Sequence, residues 1–167
     1  GRVRLSVDAA RELATKVMRA DGYAERDARI IAEHVIDAAL CGYEYSGLPK
    51  LLDAGEHKRA RLPRTPLRIV RETPVSTLFD GGNNNGMLAL HDATLAAIAK
   101  AQTSGIVVAG VHNSWMSGRS AYYAEMIARA GLIGIITIGA ARQVAPLGGA
   151  NPVSVASTNR PKSLRNN

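Results

Sequence analysis

The sequence Gly105-Ile-Val-Val-Ala-Gly-Val-His-Asn-Ser-Trp-Met-Ser-Gly118 joins an apolar, β-branched run to a loop that is rich in small polar residues. The run from Ile106 to Val111 is typical of a buried strand. After Gly118, apolar side chains recur at helical spacing, which predicts a helix that follows the loop and ends at Gly131. Those side chains are Tyr122, Tyr123, Met126, Ile127 and Ala130.

A second buried strand is expected after that helix, from Leu132 to Ile138, because the segment is short and rich in β-branched residues. The order of strand, polar loop, helix and strand places the loop and the start of the helix at the carboxyl edge of a sheet. Proteins of the α/β class commonly bind ligands at that edge. The loop that ends at Gly118 is therefore the first candidate for a functional site.

Residues 1–60 are predicted to form a helical N-terminal region. Ser6 is expected to cap a first helix, and residues 24–40 are expected to form a second. Both carry apolar residues at helical spacing, which favours a helical hairpin. His34 is expected at the boundary of the apolar stripe, an interpretation that we favour over a ligand role. Cys41 is expected to be a small core residue.

Residues 61–159 are predicted to form an α/β region, and residues 160–167 a basic tail. The fold class is therefore α/β (or α+β), with an N-terminal helical hairpin followed by a mixed sheet with covering helices. A charged connector at residues 55–64 precedes the sheet and is expected on the solvated surface. After it we expect strands at 67–71 and 75–79, a turn at 80–86 rich in Gly and Asn, and a helix at 87–102.

Several short blocks occur in this order: Asn113-Ser114, Gly118, Tyr122-Tyr123-Ala124, Gly131-Leu132-Ile133-Gly134, and Pro146 with Gly148-Gly149. Together they resemble the signature of the type-2 malate/L-lactate dehydrogenase family. The resemblance implies an oxidoreductase that uses NAD or NADP without the usual Rossmann glycine fingerprint. It also implies a small 2-oxo or 2-hydroxy acid as substrate and a homodimer as the assembly.

The family pattern Gly-His-x-Ser-His-Gly-x-x-Arg-Leu resembles residues 42–51 of this chain, with changes at its chemical positions. Tyr45 stands at the Ser position, Ser46 at the His position and Lys50 at the Arg position. The resemblance makes Ser46 and Tyr45 the candidate catalytic residues, although a serine hydroxyl is a poor proton donor compared with imidazole. Lys50 is the candidate for binding the substrate carboxylate, as a point charge without the fork of an arginine.

The family loop Asn-Ser-Asn-His-Phe-Gly resembles residues 113–118, where Met116 stands at the His position. A thioether has no proton to donate, so the active-site histidine positions of the family pattern, at 46 and 116, are both vacant. For Arg119 two interpretations have equal weight: a cation that favours a bound phosphate, or a solvent-exposed side chain. The resemblance implies these cofactor-binding residues: Asn113, Ser114, Ser117, Gly118, Arg119, Thr158 and Asn159.

Composition narrows the class of protein further. The net charge is +7, but the basic residues do not alternate with aromatic residues and show no zinc-finger or RNA-recognition pattern. Nucleic-acid binding is therefore disfavoured, and no metal site is predicted. The single Cys41 excludes an intrachain disulfide. No apolar run reaches the roughly 18 residues of a membrane span, and no signal peptide is recognised. We therefore expect a cytoplasmic protein that does not bind membranes.

The resemblance covers nearly the whole chain but only about half the length of the family. With both histidine positions vacant, we expect a truncated malate/L-lactate dehydrogenase-like homologue whose activity is impaired or lost. The alternative is a non-catalytic fragment that serves as a nucleotide-binding or interaction module.

Overall fold

The structure, a computed structural model, describes residues 4–139. Residues up to Gly134 belong to one compact unit, and Ile135 begins a second. All the helices and strands of the described residues lie in the first unit. In chain order they are α1 (Val7–Ala20), α2 (Glu25–Leu40), a 3-10 turn (Glu44–Ser46), α3 (Pro49–Glu56), β1 (Arg68–Thr73), β2 (Ser76–Asp80), α4 (Gly86–Ser104), β3 (Val108–His112) and α5 (Ser120–Arg129).

The predicted helical hairpin is confirmed. Ser6 caps α1, because its side-chain oxygen accepts a hydrogen bond from the Ala9 N–H at 3.1 Å. The apolar faces of α1 and α2 form the centre of the core, where Met18, Ile31 and Val35 are fully buried. The spacing of the apolar residues therefore identified the faces that these two helices bury.

Cys41 was predicted in the core, and this prediction is wrong because its side chain is exposed. Cys41 is the C-cap of α2, directly after its last residue, and Gly42 follows with a φ of +83°. The chain therefore leaves the helix axis at this point, and the position that would continue the buried stripe turns towards solvent.

The sheet is mixed, as predicted, with the strand order β1-β2-β3. β1 and β2 pair antiparallel, whereas β2 and β3 pair parallel through the crossover helix α4. Asn85 caps α4, since its Oδ1 accepts from the Met87 N–H at 2.9 Å. The residues before it form the predicted turn, in which Gly82 and Asn83 have φ near +60°.

The predicted strand from Leu132 to Ile138 is not formed, and Ile133 is 98 % exposed. β-branched residues favour a strand only where a neighbouring strand supplies hydrogen bonds, and local composition does not reveal that neighbour. The run from Ile106 to Val111 was expected to form a buried strand, and this expectation of burial is also wrong, because Val108 of β3 is 69 % exposed. Among residues 4–139, no helix is long and apolar enough to cross a membrane.

Candidate functional site

The loop between β3 and α5 contains three residues in the left-handed conformation. Asn113, Met116 and Gly118 have φ of 53°, 60° and 67°. Asn and Gly adopt this conformation readily, whereas other residues do so at a cost of roughly 1–2 kcal/mol. The backbone of Met116 is therefore strained, and its surroundings hold it in this shape. Because Met116 stands at the position of a family histidine, the strain lies at a position of functional interest.

Two side chains from earlier segments hold the start of this loop. Arg59 donates to Asn113 Oδ1 at 2.6 Å and to the Ser114 carbonyl oxygen at 3.1 Å. Asp80 Oδ1 accepts from Asn113 Nδ2 at 2.8 Å. Hydrogen bonds from the Gly82 N–H and from Asn113 lower the pKa of the Asp80 carboxyl to about 2, so this anchor is charged at neutral pH. Both polar side-chain atoms of Asn113 are therefore used within the protein.

The connector was expected on the solvated surface, and this is wrong for two of its arginines. Arg59 bonds to the β3–α5 loop and also donates to Asn83 Oδ1 at 2.7 Å. The Arg64 guanidinium lies over the Tyr23 ring, 3.9 Å from its centroid, and donates to the Asp21 carbonyl oxygen. Charge alone did not indicate these roles, because the partners are distant in sequence.

Trp115 fixes the middle of the loop in the core. Its ring is 8 % exposed and stacks on the His57 imidazole, with centroids 4.5 Å apart and planes within 1°. Its indole N–H donates to the Asn83 carbonyl oxygen at 3.0 Å. A large buried side chain at this position limits the movement of the residues on either side of it.

The backbone N–H groups of Met116, Ser117 and Gly118 make no hydrogen bond with the residues that the structure describes. These three residues are partly exposed. Successive backbone N–H groups in a turn form a concave donor site that can bind an anion or a carbonyl oxygen. Among the described residues, these three N–H groups are therefore the unpaired backbone donors of residues 116–118.

His34 meets the loop from α2 and is fully buried, so the prediction that it lies at a boundary is wrong. Its Nε2 accepts the backbone N–H of Arg119 at 2.8 Å. Burial, with smaller contributions from Arg119 and His91, lowers the pKa of His34 to about 4 despite the nearby Asp37. The imidazole is therefore neutral at pH 7, with its proton on Nδ1, which has no hydrogen-bond partner among the described residues.

Gly118 allows this contact because it has no side chain. A Cβ at this position would lie 2.2 Å from His34 Nε2, and the φ of +67° already favours glycine. Gly118 therefore lets the loop backbone lie directly against a histidine of the protein itself.

Arg119 is 8 % exposed, which excludes the interpretation of a solvent-exposed side chain. Its guanidinium donates to Asp37 Oδ2 at 2.6 Å and to both carboxylate oxygens of Glu125 at 2.8 Å. The hydrogen bonds to Glu125, followed by those to Asp37, raise the pKa of Arg119 further above its ordinary value. Its cofactor-binding role remains a prediction, and a phosphate would have to compete with these two carboxylates.

Tyr45, Ser46 and Lys50 lie in a second group, on the 3-10 turn and the first turn of α3. Lys50 Nζ donates to the Tyr45 hydroxyl and to Asp53 Oδ2, each at 3.0 Å, and lies 4.2 Å from the Tyr45 ring centroid. Tyr45 is 75 % exposed. Lys50, the predicted carboxylate-binding residue, thus contacts the phenol of Tyr45, which stands at the Ser position of the family pattern.

Within the described residues, no hydrogen bond, ion pair or ring contact joins this Tyr45–Lys50 group to the β3–α5 loop. Thr158 and Asn159, also predicted to bind the cofactor, lie outside the described residues.

The residue that sequence reasoning missed is His34. It lies three residues after Ile31 and four before Ala38, both fully buried, and that helical spacing was the signal that could have placed it in the core.

The described elements define an α/β protein built from a helical hairpin and a small mixed sheet. The family model for malate/L-lactate dehydrogenase matches residues 5–159, so the chain belongs to this family. The chain is 33 % identical to a malate dehydrogenase of Pyrococcus abyssi, over 96 % of this chain and 46 % of that protein. It is 30 % identical to a malate/(S)-sulfolactate dehydrogenase of Methanothermus fervidus, over 89 % of this chain and 44 % of that one.

Solved structures agree with the sequence relatives. The crystal structure of malate dehydrogenase from Entamoeba histolytica matches 91 % of this chain with a TM-score of 0.82 at 29 % identity, and 43 % of that chain is covered. Malate dehydrogenase from Pyrococcus horikoshii matches 77 % of this chain with a TM-score of 0.71 at 30 % identity, and 38 % of that chain is covered. The chain spans about half the length of the curated relatives that it matches.

The contact at Gly118 gives a first prediction. We expect Gly118→Ala to lower the free energy of unfolding by more than about 2 kcal/mol, because the left-handed conformation alone costs roughly 1–2 kcal/mol and the new Cβ overlaps His34. The matched control is Gly131→Ala, also at positive φ but in open space, for which a loss of about 1 kcal/mol is expected. Urea unfolding measures both values, and equal losses would contradict the proposed overlap.

The buried imidazole gives a second prediction, for pH. The pKa of His34 is lower in the folded chain, about 4, than in the unfolded chain, about 6.5. As the pH falls from 6.5 to 4, the unfolded state binds a proton that the folded state does not, so stability decreases, by at most about 1.4 kcal/mol per pH unit. Unfolding curves from pH 7 to pH 4.5 should show this slope, and His34→Gln should lack it. The same slope in both proteins would contradict the assignment.

Proposed function

We propose that this chain is a malate/L-lactate dehydrogenase-like oxidoreductase for NAD(P)-linked interconversion of small 2-hydroxy and 2-oxo acids, with impaired catalysis. The observation that carries the proposal is the β3–α5 loop, which is held by Arg59, Asp80 and Trp115 and has three successive backbone N–H groups without a partner among the described residues. Family membership supports the reaction type. The impairment follows from Ser46 and Met116, which stand at the two active-site positions where the family pattern has histidine.

The fit of the loop to a nicotinamide dinucleotide differs between its two halves. The N–H groups of Met116 to Gly118, unpaired among the described residues, would suit a phosphate or carboxamide oxygen. Arg119 does not fit a phosphate in its present arrangement. Its backbone N–H donates to His34, and its guanidinium is paired with the carboxylates of Asp37 and Glu125. We therefore assign cofactor contact to the residues before Arg119, with either NAD or NADP as the ligand.

In this proposal the Tyr45–Lys50 group serves the substrate acid. When bound, a nicotinamide would provide the hydride chemistry, and the protein itself would have to move a proton at the substrate oxygen. Tyr45 is the proton donor available beside Lys50, whose ammonium would stabilise the negative charge left on the phenol oxygen. Phenols ordinarily ionise near pH 10, so a phenol replaces imidazole poorly at neutral pH. Slow turnover is the consequence.

The catalytic proposal predicts slow but measurable oxidation of NADH or NADPH in the presence of 2-oxo acids such as oxaloacetate and pyruvate. Tyr45→Phe should lower kcat at least about 10-fold, because it removes the proton donor but keeps the ring over Lys50. Lys50→Ala should instead raise KM for the acid. The matched control is Tyr43→Phe, an exposed tyrosine two residues earlier.

Turnover that does not exceed the enzyme-free rate would overturn the catalytic proposal. Quenching of Trp115 by NADH would then separate the alternatives, because the sequence contains a single tryptophan and it lies in the loop. Saturable quenching without turnover would favour the second candidate, a non-catalytic nucleotide-binding module. Absence of both in a cooperatively folded chain would favour an interaction module.

We also propose that the chain forms a homodimer through exposed apolar residues at the start of β3 and in the segment just before it, and that it works in the cytoplasm. Val108 and Ile106 are 69 % and 68 % exposed, and β3 is an edge strand among the described residues. Apolar edges of this kind favour association.

Light scattering at micromolar concentration should give twice the mass of one chain, and Val108→Lys should reduce it to the mass of one. The control is Leu13→Lys, at an exposed position on α1, which should leave the dimer intact. A single-chain mass at all concentrations would contradict the proposed dimer.

A further inference from the structure

The basic residues of the chain are concentrated in one segment, residues 57–71, which we call the basic ridge. Its Lys and Arg residues are Lys58, Arg59, Arg61, Arg64, Arg68 and Arg71. All 14 Asp and Glu residues of the chain lie outside this segment. Neighbouring cations without carboxylates between them create a positive potential that attracts an anionic partner over about one Debye length, roughly 8 Å at physiological salt.

Most of the cations in the ridge are not neutralised by a carboxylate. Three of them are exposed and form no hydrogen bond or ion pair with other described residues: Lys58, Arg61 and Arg71. Arg59 and Arg64 donate hydrogen bonds to carbonyl and amide oxygens, which carry no net charge. Arg68 is the exception within the described residues, because it pairs with Asp80 at 2.8 Å. The ridge therefore keeps a large uncompensated positive charge.

The ridge is held along one side by the turn before α4 and by β2. The Asn83 side-chain nitrogen lies within 3.1–3.3 Å of three carbonyl oxygens of the connector. The Thr65 N–H donates to the Gly82 carbonyl oxygen at 2.9 Å, and β1 then pairs with β2. Because the ridge is fixed at points along its length, a partner would meet a preformed surface.

A β-bulge places two of the arginines on the same face of the sheet. Residues three apart on a regular strand point to opposite faces. In β1 the register skips Val70. As a result, Arg68 lies opposite Asp80, and Arg71 lies opposite Leu78. Because these two partners are two positions apart on β2 and share a face, both arginines share that face too.

β1 is an edge strand among the described residues, and all six of its residues are exposed. An edge strand leaves one row of backbone N–H and C=O groups unpaired, and an extended peptide can add to it as a further strand. Exposed apolar side chains accompany the cations, since Leu62, Ile69 and Val70 are 54 %, 50 % and 46 % exposed. The ridge thus offers backbone hydrogen bonds, apolar contacts and positive charge together.

These features favour an acidic peptide over other partners of a basic surface. Single-stranded nucleic acid is bound by cations together with aromatic side chains on which bases stack, and the ridge contains no Phe, Tyr or Trp. A second copy of β1 would bring its own arginines to the edge, where like charges oppose pairing. A strand of Asp and Glu interleaved with apolar residues matches all three features of the ridge.

We propose that the basic ridge is a docking surface for an acidic, extended segment of a partner protein, which adds to the edge of β1 as a further strand. Its carboxylates pair with Arg71 and with the connector cations that have no partner among the described residues. None of the residues assigned above to the cofactor or to the substrate acid belongs to the ridge. The docking surface therefore goes beyond the function proposed above.

The test uses the full chain and a fluorescently labelled peptide, Asp-Val-Glu-Val-Asp-Val-Glu-Val, with both ends blocked. Fluorescence anisotropy should show saturable binding with a Kd of about 10–100 μM in about 50 mM salt. Binding should weaken at least about 5-fold in about 500 mM salt, because exposed charges are then screened. A peptide with Lys at every acidic position should not bind, and one with Pro at the central Val should bind at least about 5-fold more weakly.

A charge-reversal variant tests the position of the surface. Arg71→Glu changes an exposed side chain without a partner among the described residues, so it should weaken binding of the acidic peptide at least about 5-fold in a folded chain. The matched control is Lys16→Glu, which makes the same change of charge at an exposed position on α1. Its affinity for the peptide should stay within about 2-fold of the unchanged chain.

Amide hydrogen exchange tests the addition of a strand. At saturating peptide, alternate residues of β1 should exchange at least about 10-fold more slowly, because their outward N–H groups become hydrogen-bonded. Binding without slower exchange in β1 would overturn the proposed strand addition.

Absence of saturable binding, or equal affinities of Arg71→Glu and Lys16→Glu, would overturn the ridge as the docking surface. Tighter binding of an eight-nucleotide oligothymidylate than of the acidic peptide would overturn the assignment to a protein partner. None of these outcomes depends on NADH binding or on hydroxy-acid turnover, so the docking surface and the proposed enzymatic function can fail independently.

Discussion

The hydrogen bond from the Arg119 backbone N–H to His34 determines where the candidate site lies relative to the helical hairpin. It joins residues 85 positions apart in sequence. The same helix α2 also supplies Asp37, which holds the Arg119 side chain, so one helix fixes both the backbone and the guanidinium. Because only glycine fits beside His34 at position 118, the sequence of the loop and the packing of the hairpin depend on each other.

This arrangement is maintained against local costs. The buried His34 N–H, which has no partner among the described residues, costs roughly 1–3 kcal/mol, and the left-handed conformation of Met116 costs roughly 1–2 kcal/mol. The hydrogen bonds of Arg59 and Arg119 and the burial of Trp115 hold the loop in spite of these costs. Strain that the surroundings stabilise in this way is a feature of functional loops, and here it coincides with positions where the family pattern places its chemistry.

Sequence reasoning predicted the elements that carry local signals. The cap at Ser6, the glycine and asparagine turn before α4 and the helix after Gly118 each depend on residues close in the chain, and each is confirmed. The expected strand from Leu132 to Ile138 failed because pairing requires a distant partner that composition does not specify. The contact of His34 with the loop and the ion pair of Arg119 with Asp37 were missed for the same reason, since these partners lie more than 80 residues apart.

The connector shows how a segment without secondary-structure signals can organise a site. Its arginines have three different environments: Arg59 bonds the loop, Arg61 is exposed, and Arg64 covers Tyr23. His57 of the same segment stacks on Trp115 of the loop, so the connector holds the loop by ring packing as well as by the hydrogen bonds of Arg59.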